Sequence, residues 1–263
     1  GTGSTGATGA TGARGATGVI GVVGTKYSDY IYWDEALTEW QVGSSEVHLG
    51  YNAGQDALGQ HAVAIGSEAG LIGETGQATI SIGNKAGREY QKQYGIAIGS
   101  EAGGYNQGEY SIAMGYEAGE RAQGSQSVAI GSQAGQTAQG ANSIAMGYEA
   151  GNEGQGLQSI AIGNQAGHQQ QSIGNTGSAI AIGNKAGFAN QGENSVAIGF
   201  ESGDTDQAKN SIAMGNQAGN YEQGGSTGSA IAIGNGAGYN TQDSNAIAIG
   251  NKAGYREQKL SSI

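Results

Sequence analysis

The sequence predicts an all-β fold, a parallel β-roll or β-solenoid of about 13 coils. Three observations carry it: a nine-residue text recurs from Val47 to Gly254, its copies are set mostly sixteen residues apart, and glycine makes up 53 of 263 residues with no proline or cysteine. Self-similarity at a fixed period is the mark of a stacked repeat, in which each unit buries its surface only against its neighbours. So glycine-rich and aromatic-poor a chain does not build an ordinary globular core.

The strand comes first. Each copy has Val or Ile in a first slot (Val47, Val63, Ile80, Ile96, through Ile247) and Leu, Ile or Met two residues later (Leu49, Ile65, through Ile249). Spacing of two places both side chains on one face of a strand. The residue between them is Ala in all but two copies, His48 and Ser81, so the opposite face lies close against something or carries little bulk. Met114, Met146 and Met214 replace Ile in the second slot, which reads as gap-filling in a buried position.

Corners follow. A Gly ends every strand, from Gly50 to Gly250, and an Ala-Gly pair comes three residues on, with Ser202 the one substitution for that Ala. Fixed-offset glycines mark positive φ or close backbone approach. The rest of each coil is polar and often carries Gln-Gly (107-108, 123-124, 139-140, 191-192), read as a second, shorter strand and a turn. Three steps exceed sixteen, at 17, 20 and 19 residues. The two longer ones hold similar insertions, Gly174 to Ser178 and Gly225 to Ser229, expected to bulge from one side of the rod. Thirteen coils at inter-strand spacing give a rod on the order of 60 Å long.

About three small or medium apolar groups per coil make a thin core, so the bare Ala and Gly faces are expected to pack chain against chain. Residues 1–24 point to the number of chains: Gly recurs at every third position from Gly3 to Gly24, the period that only glycine satisfies at the axis of a triple helix. A flexible Gly-rich linker is the alternative. The chain starts at Gly1 in mid-repeat, as expected of a fragment or processed product. Residues 25–46 hold both tryptophans and read as a β-hairpin from Tyr30-Ile31-Tyr32-Trp33 to Glu39-Trp40-Gln41-Val42, expected to cap the first coil, or else to stack carbohydrate. Residues 255–263 break the pattern as a polar C-terminal cap or tail.

The strand-and-turn text of Ser127 to Gly131 and Ser195 to Gly199 resembles the head repeats of YadA-type trimeric autotransporter adhesins over residues 47–254. That resemblance implies a homotrimer of left-handed β-rolls. Two departures stand out: the period is longer than is usual for that family, and there is no anchor or coiled-coil stalk in the sequence. The Gly-Ala-Thr triplets, the Tyr-Ile-Tyr-Trp-Asp segment and the repeats together also resemble, more loosely, collagen-like surface fibre proteins of giant viruses. The expected function is therefore a structural, adhesin-like fibre on a cell or virion surface, extracellular, with a host-surface glycan or protein receptor as partner.

Chemistry is sparse. The net charge of −11, multiplied threefold in a trimer, disfavours nucleic acid and anionic membranes and keeps rods apart. No apolar run reaches membrane-spanning length. The histidines His48, His61 and His168 do not recur as a metal ladder would, and solenoid calcium sites need a regular Asp that this repeat lacks. No cofactor, no metal and no catalytic residue is expected. The competing reading, a fibre-borne polysaccharide-binding or polysaccharide-degrading protein, rests on Glu101 and Glu117, which hold one turn position in adjacent coils. Gln133 and Lys85 occupy that position in other coils, as a solvated turn would allow, and Glu68, Lys85 and Glu101 would form a surface ion-pair ladder. An ice-binding face would need a regular hydroxyl array, which Thr79, Ser111, Ser127, Ser143, Ser159, Ser195 and Ser211 supply in part.

Overall fold

A computed structural model describes residues 21–27, 29–34, 37–43, 45–56, 59–72, 76–172 and 177–263. The chain forms two units, Gly1–Ser44 and Ser45–Ile263. Most of the triple-helical stretch expected at 1–24, and residues 174–176 of the first insertion, lie outside the described residues.

In the first unit, strands β1 (Ile31–Asp34) and β2 (Glu39–Val42) pair antiparallel with Ile31 opposite Val42 and Trp33 opposite Trp40. The two indoles meet edge to face with centroids 5.6 Å apart. Asp34 Oδ1 accepts from the amide of Leu37 in the turn, and the Asp29 carboxylate accepts from the amides of Thr25 and Lys26 at 2.7 Å.

The second unit is a parallel solenoid. Thirteen three-residue strands, from Val47–Leu49 to Ile247–Ile249, stack in chain order into one parallel sheet, each slot-one residue opposite the next. A second column of parallel pairing lies across the coil. It consists of single-residue bridges from Ile72 through Glu89, Tyr105, Arg121 and onward to Tyr221, and it widens into a three-stranded sheet of Tyr221–Gln223, Asn240–Gln242 and Arg256–Gln258. Residues 255–263 thus supply the second half of the last coil. Backbone pairing does not stop at the strands. In the coil of Ile112, the amides of Gly115, Glu117 and Ala122 donate back to Ile98, Ser100 and Tyr105, while those of Gly119, Arg121 and Gly124 donate forward to Ala134, Gln136 and Gln139. Stacking therefore satisfies the turn amides that an isolated coil would leave to water.

The core differs from the expectation in one respect that governs everything else. The residue between the two apolar slots faces inward: Ala97, Ala113, Ala129, Ala145 and their equivalents are fully buried, as are the turn alanines such as Ala102 and Ala118. The Ala face is the interior, and the Ile and Val face is the exterior. A sixteen-residue coil closes on too small a cross-section for isoleucine, so the methyl side of the strand turns in and the bulky side turns out.

A glutamine completes the interior. Gln91, Gln107, Gln123, Gln139, Gln155, Gln171, Gln191, Gln207, Gln223, Gln242 and Gln258 each reach across the coil, and Nε2 donates to the carbonyl of the slot-one residue eleven positions earlier, at 2.6–3.2 Å. The amide oxygen lies against the Ala-Gly turn: a β-carbon on Gly119 would sit 2.8 Å from Gln123 Oε1. Between strands the chain turns through left-handed residues such as Glu117 (φ 53°), Ala122 (57°) and Gln126 (57°), one residue per corner.

Candidate interaction face

The outward face of the thirteen-stranded sheet is a chemically coherent surface that runs the length of the sheet. It carries two columns of Val, Ile, Leu and Met, the first half-buried and the second more open. Met114, Met146 and Met214 are each 39 % exposed. They are not core gap-fillers, because their slot points away from the coil. Tyr51, Tyr116, Tyr148 and Phe200 stand exposed in the neighbouring column, where asparagines form short ladders, Asn184 to Asn164 at 3.1 Å and Asn235 to Asn216 at 3.3 Å. A continuous apolar stripe on the order of 60 Å long far exceeds the scattered hydrophobics usual on a monomer surface and marks an interaction site.

The turn face next to it is polar, and around Glu117 it is satisfied from within. Glu117 Oε2 accepts from Gln133 Nε2 and from Gln136 Nε2, both at 2.8 Å, and Gln136 also donates to Glu120 at 2.9 Å. A hydrogen bond to Glu117 raises the Tyr116 phenol above its ordinary value. Glu117 is therefore held by amides, which occupy its carboxylate as they would a structural acceptor. Glu68 pairs with Arg88 at 3.2 Å rather than with Lys85, so the expected Glu68-Lys85-Glu101 ladder does not form among the described residues.

Each histidine has its own setting. His48 Nδ1 lies 3.2 Å from the carbonyl of Ala53, and His61 sits exposed at a left-handed corner (φ 62°). His168 Nε2 lies 3.3 Å from Glu149 Oε2, with its ring stacked on Phe188 at 4.9 Å. Burial pushes the Glu149 carboxyl up, but hydrogen bonds from Tyr148, Gln165 and His168, with the charge of His168, outweigh it and hold the group below its ordinary value. Among the described residues no group of three or more His, Cys, Asp or Glu could hold a metal ion.

The hydroxyl array of the ice-binding reading is inside. Thr79, Ser111, Ser127, Ser143, Ser159, Ser195 and Ser211 are buried, and Ser127 Oγ donates to the carbonyl of Gly124 at 2.6 Å. The second insertion is pinned in place: Gly228 donates to the Gly224 carbonyl at 2.7 Å, Ser229 to Lys209 at 3.0 Å, and Thr227 to Ser244 Oγ at 3.1 Å. It borders a shallow groove of about 510 Å³ whose lining includes Asn190, Asp206, Lys209 and Ser226.

The YadA head domain repeat matches residues 122–150 in two copies. Those copies contain the strands Val128–Ile130 and Ile144–Met146, the glycines Gly131 and Gly147 that end them and the Ala134-Gly135 corner, and they end at Ala150. No curated protein and no solved structure matches the chain. No helix among the described residues is long and apolar enough to cross a membrane.

Proposed function

We propose that this chain is the β-roll portion of a homotrimeric, adhesin-like surface fibre, extracellular and carried on a cell or virion, where it serves structure and attachment without catalysis. The observation that carries this reading is the apolar strand face turned outward along the whole solenoid. Exposed in one chain, it is covered when three rolls set these faces around a common axis, as closed cyclic symmetry allows. The YadA head repeat at 122–150 supports the same reading, since heads of that kind are trimeric and left-handed by resemblance. In this assembly residues 1–24 act as a collagen-like stalk and residues 25–46 cap the first coil. The acidic balance keeps neighbouring fibres from bundling.

Sedimentation equilibrium of the full chain tests the assembly. Three chains of 26.2 kDa give a species of about 79 kDa. A monodisperse monomer across micromolar concentrations overturns the trimer.

A further inference from the structure

The repeat leaves one edge of the solenoid free to vary. The residue that closes each coil, just before the small buried residue that leads into the strand (Thr79, Gly95, Ser111, Ser127 or Ser143), sits at a left-handed corner and points outward. In successive coils it is Ala78 (φ 52°), Tyr94 (57°), Tyr110 (56°), Gln126 (57°) and Asn142 (56°). Alanine, glutamine and asparagine all serve there, so the fold does not require tyrosine, and Tyr94 and Tyr110 remain 44 % and 52 % exposed.

Their rings stack with centroids 4.9 Å apart and planes 19° from parallel. That separation is the coil spacing, so the ring normals run along the stack and each tyrosine spends one face on the other. The second face of Tyr94 looks toward the preceding coil, where Ala78 offers only a methyl group. The result is a ledge one coil deep, about 4.8 Å, floored by an aromatic face. Beside the stack Gln93 Nε2 donates to Glu109 Oε1, which leaves acceptor oxygens along its rim.

We propose that this ledge binds one pyranose ring of a neutral oligosaccharide. The apolar C–H face of the sugar lies on the electron-rich face of Tyr94, Tyr110 braces that ring from behind, and sugar hydroxyls donate to Glu109 and Gln93. An anionic sugar is disfavoured by Glu109 and by the chain's net charge of −11. The ledge exists within a single chain, so the proposal stands apart from the number of chains in the fibre.

The test is an array of neutral, sialylated and uronate-containing oligosaccharides probed with the full chain, then with Tyr94→Ala and with Ala78→Tyr. The second variant fills the ledge with a third ring at a corner that lies between His61 of the preceding coil and Tyr94 of the next. A neutral glycan should bind, each variant should weaken it at least tenfold, and Gln126→Ala should leave it unchanged. The proposal is overturned if no neutral glycan binds, if only acidic ones do, or if binding survives both variants and is lost instead in Trp33→Ala. Sedimentation of the same proteins reads the oligomeric state separately, so failure of the ledge and failure of the fibre are told apart.

Discussion

The glycine that ends each strand is fixed by its neighbour as much as by its own backbone. Gly115 has φ +135°, and a β-carbon there would lie 2.5 Å from the carbonyl oxygen of Gly131 in the next coil. Gly250 has a comparable φ of +121° but nothing within 4 Å of that position. Gly115→Ala should therefore cost about 3 kcal/mol or more, combining strain and collision, and Gly250→Ala only about 1–2 kcal/mol of backbone strain. Urea midpoints of the two variants measure the difference, and equal losses would show that contact between coils is not what fixes the residue. Asp204 is a second residue whose neighbours indicate a better choice. Burial, with the charge of Glu201 adding to it, raises its carboxyl above the ordinary value against the pull of Thr205 and Lys185, and its Oδ1 finds no partner. At the same place in their coils Asn152 and Asn220 donate to the carbonyls of Gln133 and Glu201 nineteen residues earlier, at 3.0 and 2.8 Å. The folded state holds the Asp204 proton more tightly than the unfolded chain does, so stability falls as pH rises from the ordinary carboxyl value through the raised one. Asp204→Asn should remove that dependence and add about 1 kcal/mol near neutral pH by donating to the Lys185 carbonyl. Thermal unfolding from pH 3 to 8 checks the sign.

The strand is where sequence and structure part company. Ile-Ala-Ile alternation declares a strand with two unlike faces, and the glycine corners and Ala-Gly turns declare a coil. Both were legible because they repeat. What alternation cannot say is which face is the inside. Large apolar residues ordinarily go in, and here the coil is too narrow to admit them. The interior glutamine was legible only as a recurring Gln-Gly pair in polar text, since nothing in a single sequence distinguishes an amide that crosses a core from one that faces water. The pairing of Tyr94 with Tyr110 was not legible either, since only the corner geometry brings them into one stack. The orientation is tested within one strand. Ala161 is fully buried, so Ala161→Leu should overpack the coil by about 1–3 kcal/mol or unfold it locally. Ile162 lies on the open side, so Ile162→Glu should leave the far-ultraviolet dichroism of the strand signal intact. Reversed outcomes would place the isoleucine face inside the roll and the alanine face outside.

The whole solenoid then has two separable kinds of stability. Coil on coil, it is held by backbone pairing and by the glutamine column. In the proposed trimer, chain is held on chain by the outward apolar face. Ile162→Glu should strike only the second, shifting the sedimenting species from about 79 kDa toward the 26.2 kDa chain. The hairpin 31–42 pairs its own strands and carries its own aromatic pair.

The amide-lined interior also sets how the roll responds to temperature. Heat capacity rises when unfolding exposes apolar surface and falls when it exposes polar groups. A coil whose buried contents are two alanines, a serine or alanine and a glutamine exposes little of the first and much of the second. The stability curve of a single roll is consequently shallow, changing slowly on cooling as on warming, and in the proposed trimer the curvature familiar from globular domains enters only as the isoleucine faces of separate chains come together.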